Sequence, residues 1–388
     1  MDTNSFRTRT IFMDRKHPSV SEKWIMGIDI GYSSVKVFAP NGYYSFPSYA
    51  IKVDSEQGKI SEIKNTDIVF KNLLTNEIWY VGALAQNLID SDDTSESINT
   101  LYNRHRYYSP MFNVIKSVGL ALGMSKNEFG DPSGKPFYIQ TGLPPKYITS
   151  DEEDLKNSFL GEYHFLLKIG NNPFKEYHFT INEENMAKII PQPMGTLMSI
   201  SMDQNGEMLP ISNSYMSSNT LVFDPGFGTL DIYDIRNGVP FPPETFDTLG
   251  MKQVLKETSN MILAKFGKEI PVPAMQKYLE TGTINVFNKK LMKSEFKEFD
   301  YILKEANEKV CAEAIEKIKN TYNFLIDYRY LIITGGTGAA WSPYIREHFK
   351  NMETLTIVAG NQNDNLPYIF SNVRGYYMYL RKKKELER

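Results

Sequence analysis

The sequence predicts an α/β protein built from two related halves that flank a cleft. Two observations carry this. Short apolar runs of strand length, each stopped by a glycine turn, alternate with longer stretches whose apolar residues recur at helical spacing. One arrangement also occurs twice: a buried strand ending in Asp29 and Gly31, a second strand and a turn at Gly42, then the same order with Asp224, Gly226 and Gly238. Asp29 precedes its turn by thirteen residues and Asp224 by fourteen. A repeat separated by almost two hundred residues points to two similar halves. If those halves face each other, both aspartates look into one space.

Taken in order, WIMGIDI (24–30) reads as a buried strand, followed by VKVFA (35–39), the turn PNG and a further strand in YYSFPSYAI. EIWYVG (77–82) reads as another strand, and the polar, acidic stretch 87–105 as loop. MFNVIKSVGLALGM (111–124) has helical spacing, KPFYIQTGLPP is a strand running into a Gly-Pro-Pro stop, and DEEDLKNSFLGEY begins as a helix with acids in its first turn. Residues 163–190 look like two strands and a connection, and 196–219 like a local insertion. TLVFDPGFGTLDIYDIRNG (220–238) repeats the strand–turn–strand layout. The stretch 249–267 is a helix closed by Gly267, and 299–324 carries one apolar stripe at positions 303, 306, 310, 314 and 318. YLIITGGTGAAW (330–341) is a buried strand entering a glycine turn, after which Ser342 and Pro343 fit the start of a helix. NVRGYYMYLRKKK reads as a final helix.

Composition narrows the class. A chain of 388 residues has room for two or three domains, and 41% hydrophobic with 23% charged residues is ordinary for a soluble globular protein. The net charge of −3 argues against direct binding to nucleic acid through a bulk basic field. Cys311 is the single cysteine, so no intrachain disulfide forms; it fits a small core position and a reducing compartment. No apolar run reaches the roughly 20 residues that cross a bilayer. Residues 1–22 lack the apolar segment of a secretory signal and read as a mobile extension whose removal leaves ligand binding intact. The ending RKKKELER is either a solvated helix end or a patch for an acidic partner.

A polyphosphate with Mg²⁺ needs backbone N–H donors at close range and a few carboxylates near a metal that keeps its waters. The first hairpin offers Gly31, Ser33, Ser34 and Lys36, and the second Gly226, Gly228 and Thr229. Asp29 and Asp224 sit at matching strand ends, suited to metal-bound waters. Gly335, Gly336 and Thr337 form a third glycine turn against which a nucleotide can lie flat. One glycine hairpin is usually structural, and an aspartate before a turn usually caps it. Three such turns in one chain point to phosphate binding. Five scattered histidines without HExxH or CxxC argue against a zinc site, and neither GxSxG nor a Walker A motif occurs.

These motifs resemble those of the actin–hexokinase–chaperone ATPase superfamily, and more narrowly the ParM-type bacterial actin-like proteins that segregate plasmids. GIDIGYSSVK (27–36) resembles the first phosphate motif, VFDPGFGTLD (222–231) the second and LIITGGTG (331–338) the adenosine motif. WYVG (79–82) with Ala85, YIQTGLPP (138–145) and NVRGYYMY (372–379) are similar to further landmarks of the group. The resemblance implies an actin-like fold of two related domains with ribonuclease H-like cores around a nucleotide cleft. It divides the chain into an extension over 1–22, domain I over 23–192 with helix 368–388 returning to it, and domain II over 193–367.

The resemblance also implies roles. Asp29 and Asp224 would orient the waters of Mg²⁺. Ser33, Ser34 and Lys36 would meet the β- and γ-phosphates of ATP or GTP, with backbone help from Gly31, Gly226, Gly228 and Thr229. Gly335, Gly336 and Thr337 would cradle the nucleoside, and Gln192 in IPQPMG (190–195) would align the attacking water with Asp224. Lys252 and Gln253 are candidates for the purine. The implied protein is a cytoplasmic bacterial nucleoside triphosphatase that assembles head to tail into filaments and moves plasmid DNA through a DNA-binding adaptor at a centromere, without binding DNA or membrane itself. The alternatives are a small-molecule kinase of the same fold, a membrane-associated division or shape actin, and a scaffold with degenerate loops. The absence of an evident sugar-binding segment, the thin apolar face of the tail, and the intact Asp29, Lys36 and Asp224 weigh against them in turn.

Overall fold

The strand Trp24–Ile30 is buried along nearly its whole length because both of its faces are covered. Met26 and Ile28 point to the helix Pro110–Gly123, where Gly119 and Gly123 let the two elements approach: a Cβ on Gly119 would lie 2.9 Å from Ile28. Ile25 and Gly27 point the other way, toward the helix Ser371–Leu386. The sheet around this strand has the order Ile11–Asp14, Gly42–Pro47, Ser34–Ala39, Trp24–Ile30, Phe137–Gln140. Its first four strands are antiparallel neighbours and the last is parallel to Trp24–Ile30. This computed structural model describes residues 3–54, 63–89, 103, 105–288 and 290–387. Most of the loop expected over 87–105 therefore lies outside the described residues.

The second sheet repeats the plan. Thr220–Pro225 forms a hairpin with Leu230–Arg236 and lies parallel to Tyr330–Ile333, which lies parallel to Thr356–Ala359. Leu197 and Ile200 of the helix Gln192–Ser201 cover one face with Val222, Tyr233 and Ile332. The helices Asp300–Thr321 and Gly335–His348 cover the other. Leu303, Ala306, Val310, Ala314 and Ile318 are all buried, as the helical stripe predicts, and so is Cys311. A third, antiparallel sheet (Lys175–Ile181, Gly161–Ile169, Ile68–Asn72, Ile78–Val81, Ala50–Val53) accompanies the first, and the hairpin Thr283–Asn288/Lys293–Glu298 accompanies the second.

The helices Gln192–Ser201 and Ser371–Leu386 cross between the two main sheets. They touch through glycine: a Cβ on Gly375 would sit 1.6 Å from the carbonyl oxygen of Gly195. Arg374, 1% exposed, fastens the crossing. Its Nε donates to Asp364 at 3.0 Å, and its terminal nitrogens donate to the carbonyls of Ser199 and Asp203, each at 2.6 Å. A guanidinium thus satisfies carbonyls that the end of a helix leaves without partners.

Four expectations are corrected. Residues 3–22 are packed rather than mobile: Ile11–Asp14 pairs with Gly42–Pro47, Phe6 is 8% exposed, and His17 stacks on Phe38 at 4.0 Å and bonds the Ala39 carbonyl. The reason is the bare edge of Gly42–Pro47, which the β-prone run TIFM (10–13) covers. The helix assigned to begin at Ser342 begins at Gly335, with Pro343 inside it. Residues 196–201 belong to a buried helix that opens at Gln192, with Pro193 in its first turn, and so to the core rather than to an insertion. The helix over 148–159 starts three residues before the acidic run at 151–154, which leaves only Asp151 in its first turn.

Candidate functional site

The two aspartate hairpins have the same local geometry. In the first, the Gly31 N–H donates to the Ser34 carbonyl at 3.1 Å; in the second, the Gly226 N–H donates to the Thr229 carbonyl at 2.8 Å. Each glycine lies two residues after its aspartate and each acceptor five. In each hairpin the residue opposite the aspartate is the one seven positions on, Lys36 for Asp29 and Asp231 for Asp224. The repeat in the sequence is thus a repeat in backbone hydrogen bonding, but with a lysine facing the aspartate in the first hairpin and a second carboxylic acid facing it in the second.

Both hairpins line one cavity of about 520 Å³. Asp29, Gly31, Ser33, Ser34, Lys36, Gln192, Asp224, Gly226, Gly228, Thr229, Gly335, Gly336 and Thr337 all border it, so every residue singled out for the phosphates, the metal and the nucleoside comes to this one place. Of the purine candidates, neither Lys252 nor Gln253 borders it; Met251 does, at the start of the helix Met251–Phe266. That helix is tied to the second hairpin by Met251 N–H to the Gly226 carbonyl (3.1 Å) and Lys252 N–H to the Phe227 carbonyl (2.8 Å), which consumes the backbone of Lys252 at the loop.

Asp29, 4% exposed, accepts from Lys36 Nζ at 2.9 Å and from Gln192 Nε2 at 3.0 Å. Asp224, also 4% exposed, accepts from Asn372 Nδ2 at 2.6 Å. Burial lifts the Asp224 carboxyl to about 6, the charge of Asp29 adds to this, and the Asn372 amide opposes it. Asp231, deeper still, is pushed well above the ordinary carboxylate range by burial and by Asp224, and accepts from the hydroxyls of Thr245 (2.7 Å) and Thr229 (3.1 Å). Thr337 donates to the Gly226 carbonyl at 2.7 Å, and Gly335 is held at φ 77° with no room for a side chain: a Cβ there would lie 2.6 Å from Asp224 Oδ1. Gly335 therefore serves two needs, the left-handed turn and the closeness of the helix N-terminus to Asp224.

Asn372 joins the halves. Its amide nitrogen binds Asp224, and its oxygen accepts from the Thr196 backbone (3.2 Å) and hydroxyl (2.7 Å); that hydroxyl also meets Thr334 at 2.7 Å. The helix crossing is thereby wired to the second hairpin. On the first-hairpin side, Arg106, 4% exposed, donates to the carbonyls of Ile30 (2.9 Å) and Gly31 (2.8 Å) and lies over the Tyr32 ring at 4.7 Å. Sequence reasoning gave Arg106, Asn372 and Asp231 no role. Asp231 left a signal there as the last residue of VFDPGFGTLD, and Asn372 as the first of NVRGYYMY. Residues 5–9 and Ile11 also border the cavity, which the reading of 1–22 as a dispensable extension did not foresee.

The donor set fits a magnesium-bound polyphosphate. Among the described residues no group of three or more His, Cys, Asp or Glu side chains encloses a metal, whereas two buried aspartates border a roomy cavity. That is the pattern for Mg²⁺, which takes much of its coordination from water and phosphate. Ser45 Oγ, buried on the same wall beside Lys36, has no partner among the described residues, which leaves a hydroxyl for a ligand. No helix among the described residues is long and apolar enough to cross a membrane.

Comparison with known proteins agrees with this fold. Residues 27–195 match the family model of the actin-like proteins' N-terminal domain. A non-polymerisable quadruple mutant of pCBH ParM superposes with a TM-score of 0.69 at 19% identity, over 93% of this chain and 99% of that one. ParM in a 15-stranded filament from Clostridium botulinum gives 0.68 at 19% identity over 93% and 99%. The actin-like protein Alp7A gives 0.64 at 15% identity over 94% and 98%. No curated protein matches the chain in sequence. The chain has the actin-like fold.

Proposed function

We propose that this actin-like chain binds ATP or GTP with Mg²⁺, hydrolyses it, and assembles head to tail into filaments that segregate plasmid DNA in the bacterial cytoplasm. One observation carries the reading: two hairpins of identical backbone closure present buried Asp29 and Asp224 to one cavity large enough for a nucleotide. In phosphoryl transfer, positioning and electrostatic stabilisation do most of the work. Asp29 and Asp224 would hold Mg²⁺ through its waters, and the ion would neutralise phosphate charge. Lys36, now on Asp29, would share its charge with the phosphates, and Ser33, Ser34 and the hairpin N–H groups would position them. The N-terminus of Gly335–His348 would meet the nucleoside side. Gln192 donates to Asp29 with its amide nitrogen, which leaves its carbonyl oxygen to orient a water toward the γ-phosphate together with Asp224.

The filament part is supported by the ParM of Clostridium botulinum, which stands in a 15-stranded filament. A contact between unlike surfaces repeats without closing, so an open polymer follows from head-to-tail association. Closure on nucleotide, pivoting where Gly195 meets Gly375, would couple ligand state to the outer surfaces. Plasmid DNA would be reached through a DNA-binding adaptor at a centromere, in keeping with a net charge of −3. Light scattering and pelleting with Mg²⁺ and either nucleotide test the proposal. Scattering should rise, and Asp224→Ala should hydrolyse slowly and leave persistent filaments. A protein that stays monomeric with both nucleotides refutes assembly; wild-type hydrolysis by Asp224→Ala refutes the site.

A further inference from the structure

The N-terminal segment touches both sides of the cavity. At one end, Ile11 stands opposite Ser45, which stands opposite Lys36, which stands opposite Asp29, so a single cross-strand row runs from the first hairpin aspartate out to the N-terminal strand. At the other end, residues 3–8 lie on the helix Val272–Thr281, which packs against Met251–Phe266 on the side of the second hairpin. Thr3 Oγ1 donates to the Leu279 carbonyl at 2.9 Å, the Thr8 N–H donates to Gln276 Oε1 at 3.0 Å, and Arg7 pairs with Glu280 at 3.0 Å. Between these anchors, Ser5, Phe6, Arg7, Thr8 and Arg9 face the cavity. Arg7 Nε is buried there without a partner among the described residues.

We propose that residues 3–11 are a strap that forms one wall of the nucleotide cavity and sets the rate at which nucleotide leaves. The inference rests on the nucleotide reading above. Opening the cleft at the glycine crossing moves the helix Val272–Thr281 away from the first sheet. The strap is fixed to both, so opening must first break its contacts with Leu279, Gln276 and Glu280. The wall it builds is basic through Arg7 and Arg9, which suits an anionic ligand, and its release is the slow step of exchange.

The test cuts the tether and keeps the ion pair of the wall residue Arg7 with Glu280. Thr3 and Gln276 do not border the cavity and bear no charge, so the double variant Thr3→Val/Gln276→Leu removes the bonds to Leu279 and Thr8 and leaves the charged lining intact. Release of a fluorescent N-methylanthraniloyl ATP or GTP, chased with unlabelled nucleotide in a stopped flow, should be about tenfold faster or more, corresponding to about 1.4 kcal/mol of lost restraint. Amide hydrogen exchange over residues 3–9 should be slow in the nucleotide-free wild-type chain and fast in the variant. Unchanged release together with fast exchange overturns the strap while leaving the nucleotide site standing. Fast exchange in the wild type overturns it as well. A wild-type chain that binds neither nucleotide, yet protects residues 3–9, overturns the nucleotide reading and with it the strap's part in release.

Discussion

Replacing Asp224 by asparagine should make the ligand-free protein more stable, although it removes a residue of the site. Burial, with the charge of Asp29, raises the Asp224 carboxyl from 3.8 to about 6. Folding therefore favours the protonated acid. The penalty for the anion is absent below the unfolded value, grows as pH rises through the interval, and is complete above the folded value. Over that interval 2.303RT gives about 3 kcal/mol. Asparagine has the same shape, carries no charge, and can keep an oxygen toward Asn372, whose amide now lies 2.6 Å from the carboxylate. The gain should be about 2–3 kcal/mol near pH 7.5, about half that near pH 5, and nil at about pH 3.5. Urea denaturation of both proteins at these pH values, without nucleotide, measures it. An asparagine variant less stable than wild type near neutrality, or a gain that increases toward acid, would show that the burial of Asp224 is not what raises its carboxyl.

Two further substitutions probe the frame. Gly375→Ala places a Cβ against the Gly195 backbone, which no rotamer change relieves, so it should cost about 3 kcal/mol and lower the thermal midpoint by about 5 °C; an unchanged midpoint would mean that the helices are not held at this distance. Lys116, 2% exposed, has its ammonium pushed down to about 7 by burial. Because that penalty is full below the folded value and fades toward 10.5, Lys116→Met should add about 1–4 kcal/mol near pH 6 and less near pH 9, as read by the urea midpoint.

What the sequence reveals here is what is local. Each aspartate hairpin is contained in fewer than twenty consecutive residues, so its strands, turn and glycines can be seen together. The stripe from Leu303 to Ile318 is equally local, and all of it is buried. What escaped depends on partners far along the chain. The N-terminal segment has little pattern of its own: its β-prone residues matter because of the uncovered edge of Gly42–Pro47, and Thr8 because of Gln276. Arg106 acts on the carbonyls of Ile30 and Gly31, more than seventy residues earlier. The start of Gly335–His348 was hidden by its composition: GGTG is a poor helix former, while Ser342–Pro343 imitates a helix start. The helix Gln192–Ser201 was hidden because its far end is completed by Arg374, more than 170 residues later.

The two hairpins agree in backbone and differ in one facing side chain, a lysine in the first and an acid in the second. A socket with equal walls would accept a two-ended guest either way round. Here only the first wall sets a cation, Lys36, opposite its aspartate, while the buried acid facing Asp224 favours its neutral form, so a guest that carries anionic charge along one end would turn that end toward the lysine.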